Sequence, residues 1–290
     1  MAGTDAEAVA RLTWTAFEDL DARMGEPAPV RTDDATRVRT GVVRVQAAVE
    51  GDPEGCWVVE DAEGLAGAAL ALRRGGLWVL SLLVVRPGSQ GQGLGGRLLT
   101  AALRTAAGAR AGLIFSSRDP RALRRYQRAG FALHPALRAE GPLDRALLPA
   151  GLAVREGDPD RDAELCESVA IRVRGVGHDR DVATLAAMGG QLLVVDEPGG
   201  ARGFAVTRAG AVALCAATDE AVAGRLLWAG LAEAETPAGG AVSAAWLTSS
   251  QGWAVDVVLD ARLPLLAGPS VCTRGALGPM APYLPSGLFG

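Results

Sequence analysis

The 290-residue sequence predicts a mixed α/β protein built from two similar halves. Segments whose apolar residues recur with helical spacing alternate with short apolar runs that are typical of strands. One of these runs, Leu77 to Val85, is almost continuously apolar and predicts a central strand covered on both faces. The order of predicted elements then starts again near Gly151, as expected for an internal repeat.

The first half is predicted to run helix, helix, three strands, helix, strand, helix, strand. Its predicted helices are Ala6 to Leu20, Thr36 to Val49, Leu94 to Ala106 and Pro120 to Ala129, with a loop at Pro27 and Pro29 between the first two. Its predicted strands are Trp57 to Glu60, Leu65 to Arg73, Leu77 to Val85 and Gly112 to Ser116, followed by a last strand after Phe131.

The second half repeats this order with weaker signals. Its predicted strands are Leu152 to Arg155, Gln191 to Asp196, Gly203 to Thr207, Ala211 to Ala216 and Val242 to Leu247, and its predicted helices are Arg161 to Val173, Asp219 to Ala234 and Gln251 to Leu259. Leu98 matches Leu226 and Phe131 matches Leu263 at similar offsets. With a junction at Pro142 to Gly151, we expect domains at residues 1–145 and 146–290.

The charged residues exclude several kinds of chemistry. All 29 basic residues are arginine, because the chain has no lysine. A Walker A loop, a lysine Schiff base and a Ser-Lys dyad are therefore excluded. With 33 acidic residues the net charge is −4, which argues against nucleic acid as a partner.

Cysteine and histidine usage predicts neither disulfides nor a metal site. The four cysteines are far apart in sequence and the chain has two histidines, so no metal-ligand spacing is present. Charged residues near the amino terminus do not fit a signal peptide, and the uncharged stretch Thr236 to Val255 is broken by proline and glycines. We therefore expect a cytoplasmic protein without a membrane span.

The segment Val85 to Gly96, with the sequence VRPGSQGQGLGG, leads from the central strand to the next helix. Its glycines let the backbone approach a ligand, and the helix amino terminus offers unpaired N–H groups to a phosphate. Gly91, Gly93 and Gly96 also fit a dinucleotide-binding GxGxxG. In that fold, however, the first glycine follows its strand directly and the strand opens the domain, which is not the case here.

This segment resembles the acetyl-CoA-binding motif V-R-P-x-x-Q-x-x-G-x-G of the GCN5-related N-acetyltransferase (GNAT) superfamily. Ala122 to Phe131 is similar to a second segment of that family, A-x-x-x-Y-x-x-x-G-F. The resemblance covers Ala6 to Leu137 and implies two GNAT-like domains, each with a central mixed sheet flanked by helices. It further implies acetyl transfer from acetyl-CoA to a primary amine of a small molecule or peptide by direct attack, without a metal.

The resemblance also implies roles for individual residues. Backbone N–H groups from Gln90 to Gly95 would bind the pyrophosphate, Val85 would pair with the pantetheine arm, and Tyr126 would protonate the leaving thiolate. A tyrosine packed in the core is the alternative for Tyr126. The full set of implied acetyl-CoA-binding residues is Leu83, Val84, Val85, Gln90, Gly91, Gln92, Gly93, Leu94, Gly95, Gly96 and Arg97.

The sequence does not decide which residue acts as the general base or which residues bind the 3′-phosphate of CoA. The central strand offers Ser81 where the family often has a glutamate base, so the weak candidates for the base are Glu18, Asp19 and Asp21. The 3′-phosphate of CoA could meet arginines of this half, although a solvated face is the favoured interpretation for most of the row on the fourth helix. The candidates are Arg97, Arg118 and the row Arg121, Arg124, Arg125 and Arg128.

The second half lacks both motifs, because Ala217 to Glu220 has no glycine and two carboxylates, and the segment from Trp253 to Leu263 contains no tyrosine. We therefore expect a noncatalytic second domain that supports the first. The alternatives for the whole chain are an acetyl-CoA-binding sensor or scaffold without turnover and a nucleotide-dependent oxidoreductase.

Overall fold

A computed structural model describes residues 1–25, 33–234 and 240–290. The helices are α1 (Ala6–Met24), α2 (Asp34–Gly51), α3 (Leu94–Ala102), α4 (Pro120–Arg128), α5 (Ala163–Arg174), α6 (Asp181–Ala187), α7 (Glu220–Glu233) and α8 (Gly252–Asp260). The strands are β1 (Cys56–Asp61), β2 (Gly64–Arg74), β3 (Leu77–Val85), β4 (Ala111–Ser116), β5 (Ala132–Gly141), β6 (Arg155–Glu156), β7 (Gln191–Asp196), β8 (Arg202–Arg208), β9 (Ala211–Ala217), β10 (Val242–Leu247), β11 (Leu265–Gly275) and β12 (Tyr283–Leu284). The loop predicted at Pro27 and Pro29 lies outside these ranges.

The mixed α/β class is confirmed, and the predicted elements occur at or near their predicted positions. Three elements were not predicted from the sequence: α6, β11 and β12. Gly268 and Pro269 interrupt β11, and both residue types argue against a strand. The sheet accommodates them through a shift of register between Ala267 and Ser270.

The strands form one continuous mixed sheet in the order β1-β2-β3-β4-β11-β5-β10-β9-β8-β7-β6, with β12 beside β9. Two pairs are parallel, β3 with β4 and β9 with β10. The last strands of the two halves are exchanged, because β11 lies between β4 and β5. Both neighbours of β5 therefore come from the second half of the chain.

The predicted internal repeat is visible in the packing. Glycine leaves room here for a leucine of the neighbouring helix. If Gly67 of β2 carried a Cβ atom, that atom would lie 2.9 Å from Leu98 Cδ1 of α3, and a Cβ atom on Gly203 of β8 would lie 2.7 Å from Leu226 Cδ1 of α7. In each half a leucine of the helix after the central strand thus packs against a glycine of the neighbouring strand. The correspondence of Leu98 and Leu226 recognised in the sequence is a correspondence in space.

Helices cover both faces of the sheet. On the outer face, α3 and α4 pack on the first half and α7 and α8 on the second. On the inner face, α1, α2, α5 and α6 share one buried cluster with strands from both halves. A buried ion pair joins the halves there, with Arg74 Nη2 of β2 lying 2.6 Å from Asp181 Oδ1 of α6. None of the described helices combines the length and the apolar character needed to cross a membrane.

Candidate functional site

The loop between β3 and α3 presents a row of open backbone donors. Gly91 and Gly93 have φ values of +85° and +82°, a left-handed conformation that favours glycine. Within the described residues, the N–H groups of residues 91–95 donate to no protein acceptor. The first turn of a helix leaves such groups unpaired and carries the positive end of the helix dipole. The loop therefore presents unpaired N–H groups of the kind that accept an anion as partner.

The two ends of the predicted motif differ from this central part. The Gln90 N–H donates to Pro87 O at 3.3 Å, and the Gly96 and Arg97 N–H groups donate to Gly93 O at 3.0 and 3.2 Å. The side-chain Nε2 of Gln90 donates to Val85 O at 3.1 Å. The side chain of Gln90 thus connects the loop to the end of β3, and the carbonyl oxygen of Val85 accepts the hydrogen bond from Gln90.

One arginine of the predicted row lies against this loop. If Gly95 carried a Cβ atom, that atom would lie 3.2 Å from Cζ and Nη1 of Arg125 on α4. The guanidinium group of Arg125 therefore lies directly beside the amino terminus of α3. Arg97, Arg124 and Arg128 are exposed, and Arg121 pairs with Asp119 at 2.8 Å. Arg125 is therefore placed to add a fixed positive charge to the open N–H groups.

A β-bulge opens the sheet next to this loop. Leu70 of β2 pairs with Leu82 and Ala71 pairs with Leu80, so Ser81 of β3 is an extra residue. The parallel pairing of β3 with β4 ends at Leu80 and Ile114. Beyond that pair the strands separate, and we call the gap between residues 81–85 and 115–116 the wedge.

The predicted acetyl-CoA-binding residues of β3 form one side of the wedge. Leu83, Val84 and Val85 pair with β2 on one edge, and no described strand pairs with them on the other. An extended ligand chain such as pantetheine can form strand-like hydrogen bonds with an open edge of this kind. The wedge and the donor-rich loop are contiguous, because the loop follows Val85 directly.

Tyr126 of α4 is buried on the outer face, in the cluster that contains the last paired residues of β3 and β4. It is 5% exposed, and these paired residues are Leu80 and Ile114. Its hydroxyl hydrogen-bonds to none of the described residues. Burial raises the pKa of Tyr126, and Cys272 of β11 adds to the shift. The phenol is therefore protonated and free to donate at neutral pH.

The inner side of the bulge carries an arginine where the family often has a base. Arg44 of α2 donates to Ser81 Oγ from Nε at 3.2 Å and from Nη2 at 2.9 Å. Arg44 was not among the residues predicted from the sequence to form the site. A signal was nonetheless present, because Arg44 shares the helical spacing of Arg37, Val45 and Ala48, which are the buried residues of α2.

The three carboxylates considered as bases have different surroundings. Glu18 pairs with Arg37 at 3.1 Å, and Asp19 pairs with Arg23 at 2.9 Å. Asp21 is partly buried, and burial raises its pKa against the opposing effect of Arg138. A raised pKa brings a carboxylate closer to the range of a general base at neutral pH.

The second half has the same bulge and an occupied wedge. Val206 pairs with Leu214 and Thr207 with Val212, so Ala213 of β9 corresponds to Ser81. In this half β12 pairs with β9, with Tyr283 opposite Ala216. The chain thus fills the position that is open in the first half.

The helix that follows β9 is also closed to an anion. The carboxylate of Asp219 accepts a hydrogen bond from the Val222 N–H at 2.9 Å and so caps α7 with negative charge. No group of three or more metal-ligating side chains is found within residues 1–25, 33–234 and 240–290.

The comparisons with known proteins agree with this geometry. Residues 52–133 match a family model described as Acetyltransferase (GNAT) domain. A putative acetyltransferase from Pyrococcus horikoshii is similar over 100% of this chain and 94% of its own, with a TM-score of 0.76 and 13% identity. No match was found among the curated proteins.

Two further structures share the fold over most of this chain. A GCN5-related N-acetyltransferase from Sphaerobacter thermophilus covers 94% of this chain and 93% of its own, with a TM-score of 0.56 and 17% identity. A tandem GNAT protein from the clavulanic acid biosynthesis pathway covers 94% and 96%, with a TM-score of 0.55 and 17% identity. The sequence of residues 52–133 thus matches an acetyltransferase (GNAT) domain, and the chain as a whole has the fold of these acetyltransferase structures.

Proposed function

We propose that the chain transfers the acetyl group of acetyl-CoA to a primary amine by direct attack, at the wedge of its first half. The observation that carries this proposal is the combination of three features: open N–H groups at residues 91–95, a strand edge without a partner strand at residues 83–85, and Tyr126 in the buried cluster of the last β3–β4 pair. Together they match a ligand with an anionic head, an extended amide arm and a reactive end.

Binding would begin at the loop. The N–H groups of residues 91–95 and the guanidinium of Arg125 would hold the pyrophosphate, because both supply positive charge at fixed positions. The pantetheine arm would then lie along residues 83–85 and direct the thioester toward Ser81. Unpaired backbone N–H groups beside the bulge would stabilise the negative charge that develops on the thioester oxygen.

The amine would approach from the inner face. Its nitrogen attacks the thioester carbonyl, a C–N bond forms, and collapse of the tetrahedral intermediate breaks the C–S bond. Tyr126 would donate its proton to the departing thiolate, which a protonated phenol can do at neutral pH. The proton that the amine loses would pass to water or to one of the three carboxylates considered as bases, of which Asp21 is the one whose pKa is raised by burial.

The test is a steady-state assay of thiol release from acetyl-CoA with a panel of primary amines, with the acetylated product identified by mass spectrometry. We expect turnover with at least one amine and one acetyl-CoA bound per chain. If Asp21 accepts the proton, an Asp21→Asn variant is expected to lower kcat by about 10²-fold or more at neutral pH. Tight binding of acetyl-CoA without turnover of any amine would instead identify a sensor or scaffold.

A further inference from the structure

A small cavity lies beside the second bulge, and all of its lining residues belong to the second half of the chain. Its volume is about 160 Å³. Its lining residues include Arg208 at the end of β8, Ala213 at the second bulge, Trp246 of β10 and Ser286 in the carboxyl-terminal segment. None of them belongs to the donor-rich loop or to the wedge residues of β3.

The cavity is connected to the proposed transfer site by two contacts. The ring of Trp246 packs edge-on against Phe115 of β4, with 4.8 Å between the ring centroids. Phe115 is the first residue of β4 beyond its last pair with β3. Arg208 lies close enough to Arg44 to help lower its pKa to about 10, an effect due mainly to burial. Arg44 in turn donates to Ser81 at the bulge.

These two arginines have no counter-ion. Among the described residues, neither Arg44 nor Arg208 forms an ion pair, and Arg208 Nε is buried without a hydrogen-bond partner. Arg44 and Arg208 are both partly buried, and partly buried positive charges that repel each other are costly unless an anion compensates them. Planar guanidinium groups bind carboxylate and phosphate oxygens in pairs. The two arginines thus supply uncompensated positive charge of the kind that binds an oxyanion.

The backbone at this cavity is strained. Trp246 has a φ of +66°, which is unfavourable for a bulky residue and coincides with a shift of register in β10. Such strain costs on the order of 1 to 3 kcal/mol and is concentrated at functional sites. This backbone conformation places the indole of Trp246 between Phe115 and the carboxyl-terminal segment, where Gly287 packs against the ring.

We propose that the acetyl acceptor is a small primary amine that also carries an oxyanion, and that Arg208 and Arg44 bind this oxyanion while Trp246 packs against its carbon skeleton. The proposal rests on the proposed function, because it assigns the acceptor of the same transfer. The two arginines would also disfavour the ammonium form of the bound amine and so prepare the nucleophile. The second half would then act as the specificity element of the first.

The test compares matched acceptors. Thiol release is measured with amino acids and their amides, and with O-phosphoethanolamine and ethanolamine. We expect kcat/KM to favour the anionic member of at least one pair by roughly 30-fold or more, and Arg208→Gln to remove that preference. Preference for the amino acids identifies a carboxylate, and preference for O-phosphoethanolamine identifies a phosphate. The matched control is Arg172→Gln, since Arg172 is exposed on α5. Equal kcat/KM within both pairs, or a preference that survives Arg208→Gln, would overturn the proposal.

A second measurement separates this proposal from the transfer reaction itself. The same amines are titrated calorimetrically into the protein with CoA bound. Anionic amines that bind to the unsubstituted protein and not to Arg208→Gln support the oxyanion site even if no amine is acetylated. Absence of binding by every anionic amine, with acetyl-CoA still bound, contradicts the site and leaves the acetyl-CoA site standing.

Folding of the variant is checked by its melting temperature. Removal of an uncompensated cation should leave the melting temperature of Arg208→Gln unchanged or raised in the absence of ligand. The anionic amines should raise the melting temperature of the unsubstituted protein alone. A lowered melting temperature of the variant would indicate that Arg208 has a structural partner and would count against the proposal.

Discussion

Replacement of Tyr126 by phenylalanine separates proton transfer from packing. The ring keeps its place among Leu80, Ile114 and the other buried residues of its cluster, and only the hydroxyl is lost. If that hydroxyl protonates the leaving thiolate, kcat should fall by roughly 10²- to 10⁴-fold while the affinity for acetyl-CoA hardly changes.

The structure also sets the expected effect on stability. A hydrogen bond lost from a buried site costs on the order of 1 kcal/mol, but the Tyr126 hydroxyl makes none with the described residues. The free energy of unfolding of Tyr126→Phe should therefore change by less than about 0.5 kcal/mol. For a chain of this size that corresponds to a shift in Tm of under about 2 °C.

The second of the two tyrosines supplies the control. The Tyr283 hydroxyl lies 3.0 Å from His178 Nε2 and also donates to the Gly290 carbonyl, and Tyr283 is fully buried. Tyr283→Phe should therefore lower the free energy of unfolding by about 1 to 3 kcal/mol and leave kcat of the folded protein nearly unchanged.

The assay measures kcat and Tm of both variants on the same preparations. Wild-type turnover in Tyr126→Phe, or a loss of stability equal to that of Tyr283→Phe, would refute the assignment of Tyr126 as the acid. The pH profile gives an independent check. Because burial raises the pKa of Tyr126 above its ordinary value of 10.0, the unsubstituted enzyme should show no loss of kcat from this group up to about pH 10.

Three further predictions concern ligand binding, domain exchange and pH. Gly93→Asp should abolish acetyl-CoA binding, because it places a carboxylate at the open N–H groups and a side chain at a φ of +82°; Gly199→Asp, in an exposed turn, should bind normally in the same calorimetric titration. The fragment 1–150 should be insoluble or melt well below the full chain, because both neighbours of its last strand are missing; an unchanged Tm would show that the exchange contributes no stability. Burial lowers the pKa of His178 to about 4, so the unfolded state binds the extra proton and stability is lost as pH falls from about 6.5 toward 4. Between pH 7.5 and 5 this loss is about 2 kcal/mol, to be measured by denaturant unfolding. His178→Gln should flatten that dependence and His134→Gln, at an exposed position, should not; parallel profiles for the two variants would contradict the argument.

The amino-acid sequence by itself determined the local structure of the transfer site. The glycines at 91 and 93 adopt the left-handed conformation for which their residue type is suited, and the apolar run of β3 forms a central strand. The repeat could be recognised because Leu98 and Leu226 fill the same position in each half. Conformation and periodicity are encoded within a few neighbouring residues, so a pattern in the sequence is enough to predict them.

Only the tertiary structure decided which distant segments meet. The exchange of β5 and β11, the filling of the second wedge by β12, and the approach of Arg208 to Arg44 each join residues far apart in the chain. Gly268 and Pro269 concealed β11 locally, and β12 has two residues, too few for any periodicity. Such contacts depend on pairing and packing across the whole sheet. Because many strand partners would satisfy the same local pattern, the choice among them is made by the shared core of the two halves.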